Sequence, residues 1–83
     1  MTGRIRGIVL DASGSPVPDA RVALEAGPVP VPDVALLSDG DGQFWLDVPQ
    51  PGEYVVAAHA DDGSGRCTVT VPGGGVVRIV LGR

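Results

Sequence analysis

Glycine and proline interrupt this chain nearly every ten residues, and that removes most folds from consideration: thirteen glycines and eight prolines stand among 83 residues. An interior glycine costs a helix about 1 kcal/mol and a proline about 3 kcal/mol. No window keeps apolar residues at helical spacing for a useful length. What survives between the breaks is short and rich in valine and isoleucine: RIRGIVL (4–10), ARVALEA (20–26), DVALLSD (33–39), QFWLDV (43–48), EYVVAAHA (53–60), RCTVTV (66–71) and GVVRIVLG (75–82). Seven such runs, each bounded by turn residues, predict an all-β chain, a seven-stranded antiparallel β-sandwich with no helix longer than about one turn. Alternation along the runs predicts a core of Ile5, Val9, Val22, Leu24, Phe44, Leu46, Tyr54, Val56, Val69, Val71, Ile79 and Leu81.

The length allows one domain, residues 1–83, and no second core. A hydrophobic fraction of 43% excludes a disordered chain. The net charge is −4, spread along the chain, and every basic residue is arginine. Phosphate binding needs a concentrated basic surface, so nucleic acid is not an expected partner. Cys67 is the sole cysteine, which rules out an internal disulfide. The first apolar run, Ile8 to Leu10, is too short for a signal-peptide core or a membrane span, so membrane insertion is not expected. If the chain is a whole protein, this places it in the cytoplasm; for a domain of a longer protein the inference does not hold.

The connections carry their own chemistry. DASGSPVPDA (11–20) joins a serine-glycine turn to Pro16 and Pro18, which fix φ and remove two donors, holding the link between the first two strands extended. GPVPVPD (27–33) reads as an extended loop or polyproline-like crossing rather than a ladder strand. ADDGSG and VPGGGV read as hairpin turns closing the last three strands. Pro51 and Gly52 suit a type II turn, after which Tyr54 points its ring inward with its hydroxyl able to reach a loop carbonyl. Gly7, inside the first strand, marks a bulge or a gap filled by a large side chain of the facing sheet. No internal repeat stands out.

GIVLDASGSPVPDARVAL followed by SDGDGQFWLDVPQPGEYVVAA resembles the pattern of carboxypeptidase regulatory-like domains. That pattern runs Gly-x-Val-x-Asp-x-x-Gly-x-Pro, then Thr-Asp-x-x-Gly-x-Phe and Pro-Gly-x-Tyr. Ser38 stands where threonine is commoner and Asp19 where glycine is commoner. The resemblance implies a prealbumin-like, Ig-like Greek-key sandwich, of the transthyretin-like group, used as a non-catalytic module attached to enzymes, receptors or secreted proteins. It also implies that the first, fourth and last strands share a sheet.

Three segments carry residues that could build a site. DGDG (39–42) has the look of a calcium loop, but calcium takes roughly six to eight oxygen ligands, and Gln43 and Gln50 stand where an EF-hand begun at Asp39 would put its third and last. Asp39 as a turn-capping carboxylate is the expected role, with no metal and no cofactor; Asp61 and Asp62 would contribute only if their loop lay at the same end. His59, the only histidine, alternates outward, and one imidazole assembles no catalytic set. Enzymes on prealbumin-like folds rely on clusters of histidine, arginine and tyrosine, which one histidine and one tyrosine cannot supply. Cys67 alternates inward with Val69 and Val71, away from the exposed electropositive setting of a reactive thiol, although Arg66 is adjacent.

Trp45 is the residue that calls for a partner. With Phe44, Leu46 and Val48 inward, Trp45 and Asp47 face out, beside Arg4, Arg6, Ile8 and Leu10 of the first strand and Val76, Arg78 and Val80 of the last. A contiguous patch of Trp45, Ile8, Leu10, Arg6, Val76, Arg78 and Val80 has the composition of an interface core. The expected function is therefore a non-enzymatic interaction module that binds a protein partner or itself as a homodimer. A local cation-π contact under an arginine is the plainer reading of Trp45. A glycan platform is the alternative function, though such sites commonly use two or more exposed rings.

Overall fold

The computed structural model describes residues 3–28, 35–48, 50–61, 63–71 and 76–82. Seven strands form, β1 (Gly3–Leu10), β2 (Arg21–Ala26), β3 (Ala35–Leu37), β4 (Gln43–Val48), β5 (Gly52–Ala60), β6 (Gly63–Val71) and β7 (Val77–Val80). They divide into a three-stranded sheet, β4-β1-β7, and a four-stranded sheet, β3-β2-β5-β6. The all-β, seven-stranded sandwich expected from the sequence is present, with β1, β4 and β7 in one sheet.

One pairing departs from the antiparallel expectation. β7 runs parallel to β1, with Gly7 opposite Val77 and Val9 opposite Ile79. The cause lies in the connection from β6, which leaves the four-stranded sheet for the other one; β6 and β7 are not a hairpin, and residues 72–75 lie outside the described residues. A glycine-rich link reads the same whether it turns within a sheet or crosses between two. The β5–β6 hairpin is tighter than expected: Ala60 pairs with Gly63, so β6 starts three residues before Arg66. β3 is shorter than the predicted run, and of the proline segment 27–33 all but its first two residues lie outside the described residues.

Strict alternation builds the core. In β4, Phe44, Leu46 and Val48 are buried and the residues between them exposed. Ile5, Val9, Val22, Tyr54, Val56, Val71, Ile79 and Leu81 join them, while Leu24 and Val69 are only half-buried against the cluster. Ala20, Ala57 and Ala58 are also buried. Ala57 points to the outer face, where a methyl group between Ala23 and Arg66 is covered by its neighbours.

Gly7 serves a close approach, but not to the facing sheet. It pairs with Phe44 across the β1–β4 ladder, and a Cβ there would collide with the Phe44 ring. Tyr54 is fully buried and its hydroxyl donates to the Gln50 carbonyl at 2.6 Å, a tyrosine corner four residues long. The type II turn at Pro51-Gly52 is not formed: Gly52 has φ of 151°, not about +80°, and is already the first residue of β5.

The chain leaves β1 through Asp11 and folds back so that Val17 donates to the Val9 carbonyl at 2.8 Å. Pro16 bridges Leu10, so the linker lies along the end of β1 instead of running straight to β2. Buried Ser38 fastens its far half: the hydroxyl accepts from the Ala20 amide at 2.9 Å and donates to the Val17 carbonyl at 2.7 Å. Asp19 takes φ of 59°, left-handed backbone that suits glycine best and that Asp tolerates better than most residues.

Candidate functional site

The DGDG segment is a turn built by its own carboxylate. Asp39 Oδ1 accepts the Asp41 and Gln43 amides, each at 2.9 Å, while Gly42 donates to the Asp39 carbonyl and turns with φ of 75°. The same turn occurs at DASGS. Asp11 Oδ1 accepts the Ser13 and Ser15 amides at 2.9 and 3.0 Å, Gly14 donates to the Asp11 carbonyl, and Gly14 has φ of 89°. The internal repetition missed in the sequence is this Asp-x-x-Gly-x spacing, visible twice once the bonds are known. Both turns stand at the end of the sandwich where Ile8 meets Gln43, and Val9 donates to the Gly42 carbonyl at 2.8 Å.

Asp11 also accepts the Ser13 hydroxyl at 2.6 Å; this bond first, then the Ser15 amide, holds its carboxyl below the ordinary carboxylate value. The β5–β6 hairpin carrying Asp61 lies at the same end, because His59 pairs with Arg21 at the start of β2. Among the described residues, no three acidic, histidine or cysteine side chains converge as a metal would require.

His59 is exposed on β5, opposite Ser64. Cys67 lies on β6, pointing toward the core, and burial pushes its thiol up from the ordinary value. The only imidazole and the only thiol thus belong to opposite faces of one sheet, and the partly buried thiol holds its proton more tightly than a free one.

The seven residues of the expected patch do come together. On the outer face of the three-stranded sheet, Arg6 stands opposite Trp45, Ile8 opposite both Gln43 and Arg78, and Leu10 opposite Val80. Trp45 is 57% exposed, Val80 56% and Val76 62%; Arg6 and Arg78 are exposed, while Ile8 and Leu10 are half-buried. The indole is thus more than half open to solvent, with Arg6 across from it. Two shallow depressions cross the face, one of about 380 Å³ at Arg4, Arg6, Trp45 and Val76, the other of about 620 Å³ at Ile8, Leu10, Pro16 and Arg78. They share Gln43 and Val76 and so run into each other. Arg4 Nε bonds Asp47 Oδ1 at 2.9 Å at the edge of this groove.

Arg4, Arg6 and Arg78, turned outward by alternation, stand on this one face, and the β1–β7 register sets Arg78 beside Ile8.

Two sheets with Greek-key crossings, paired Asp-x-x-Gly turns and a tyrosine corner define a small sandwich module. The chain belongs to the carboxypeptidase regulatory-like domain family, whose pattern matches residues 4–81. Among curated proteins none matches it.

Proposed function

We propose that this domain is a non-catalytic accessory module that docks a protein on the outer face of its three-stranded sheet, with Trp45 as the anchor. The observation that carries the reading is the placement of the chain's only tryptophan, more than half exposed, in a continuous groove with Val76, Ile8 and Leu10. Tryptophan and arginine are the residues enriched where interfaces gain most of their energy, and this face presents both. The family's regulatory-like character agrees with an accessory role, and so does the separation of His59 from Cys67. Phe44 and Tyr54, the only other rings, are both buried, so a single copy offers no paired aromatic platform for a glycan.

A photo-crosslinking amino acid placed at position 45 tests this in the native host, with the same group at exposed Thr68 on the other sheet as the comparison. The proposal expects a discrete protein adduct from position 45 and none from position 68. Adducts of equal yield from both positions, or none from position 45, would contradict it.

A further inference from the structure

We infer that the occupant of the Trp45 face is an acidic protein segment, one that offers Asp or Glu carboxylates to Arg6 and Arg78 and an apolar side chain to the groove between them. This rests on the reading of the face as a docking surface and adds the chemistry of its partner. The chain as a whole is net −4. The outward positions of β1, β4 and β7 run the other way: Arg4, Arg6 and Arg78 against the single carboxylate of Asp47 leave this face at net +2. Asp47 is already bonded to Arg4, and among the described residues neither Arg6 nor Arg78 has an ion-pair partner.

Like charges gathered on one sheet face repel each other, and Arg6, two residues before Ile8 on β1, and Arg78, opposite Ile8 on β7, stand close enough to do so. An acidic partner turns that repulsion into complementarity, which sets specificity and speeds encounter. A second copy of this chain does the reverse. A two-fold axis through the centre of the patch would bury the arginines of one copy against those of the other, and unpaired buried charge is costly. Arginine also suits the task chemically, since its planar fork meets a carboxylate through two parallel bonds while its flat face lies on an aromatic ring.

The sole tryptophan makes the test direct, because emission reports on position 45 alone. Three short synthetic peptides of one leucine-containing template, differing only in glutamate, glutamine or lysine at the alternate positions, are titrated against the intact domain. The glutamate peptide is expected to shift Trp45 emission with an affinity that falls as salt rises. Arg6→Glu and Arg78→Glu should each weaken it by at least about tenfold, and the glutamine and lysine peptides should bind far more weakly.

Equal binding of the glutamine or lysine peptide, still reported by Trp45, overturns the acidic partner and leaves the docking face standing. Binding that survives in Trp45→Ala, followed by calorimetry, overturns the docking face itself. No binding of the glutamate peptide overturns the inference. So does a concentration-dependent dimer in sedimentation equilibrium that Trp45→Ala dissociates, since the face would then be taken by a second copy.

Discussion

Ser38 shows how much a single side chain can hold in a domain of this size. Its hydroxyl satisfies the Ala20 amide and the Val17 carbonyl, and its backbone exchanges bonds with the same segment, accepting from Asp19 and donating to Ala20. Removing the hydroxyl strands two backbone groups at a buried site, so Ser38→Ala should lose about 1–3 kcal/mol in urea unfolding, whereas Ser38→Thr keeps the oxygen and should lose far less. Nothing in the sequence marks this role beyond the resemblance in which threonine, a second hydroxyl, is the commoner residue. Asp11 is the converse case, an exposed carboxyl whose bonds to Ser13 and Ser15 favour its ionised form and hold it below its ordinary 3.8. The folded state therefore binds this proton more weakly than the unfolded chain. The stabilisation is complete above the unfolded value and is lost as pH falls through the folded one. Melting curves of the wild type and Asp11→Asn should show a stability difference at neutral pH that shrinks as pH drops below about 4. A difference that stays constant across that range would mean the charge contributes nothing.

At the scale of elements, the two Asp-x-x-Gly turns share a bonding scheme but not a setting. Gly14 has open space around it, while a Cβ on Gly42 would lie 2.8 Å from the Val9 carbonyl and 3.0 Å from the Val17 amide nitrogen. Gly14→Ala should then cost only the left-handed backbone term, about 1–2 kcal/mol, and Gly42→Ala should cost clearly more, with the excess measuring how tightly the second turn docks on β1. Equal losses in chemical denaturation would show the docking to be without weight. The strands themselves were legible because period-two burial leaves a direct trace: QFWLDV alternates without exception. Where legibility failed, the physics was non-local. The direction of β7 depends on which sheet the chain enters after β6. The covering of Gly7 depends on which strand lies beside β1. Residue spacing within one segment records neither.

For the molecule as a whole, the face around Trp45 was readable from alternation and a resemblance, because both fix which side of a strand a residue occupies. Its arginines were readable in the same way, since alternation turns Arg4, Arg6 and Arg78 outward on strands of one sheet. What alternation leaves out is the register that sets Arg78 opposite Ile8 and the bond that ties Arg4 to Asp47. The account divides labour between two layers of side chains: Phe44, Leu46, Val48 and Tyr54 hold the sandwich together, and Trp45 stands in the same strand without belonging to its core. The urea-unfolding free energy of Trp45→Ala against wild type tests that division most directly. Loss of an outward ring opposite Arg6 should cost less than about 1 kcal/mol, the scale of one cross-strand pair, with an unchanged denaturant slope. A loss of about 3–5 kcal/mol, the scale of an aromatic side chain removed from a core, would show that the ring holds the fold together and would contradict its assignment to a docking face.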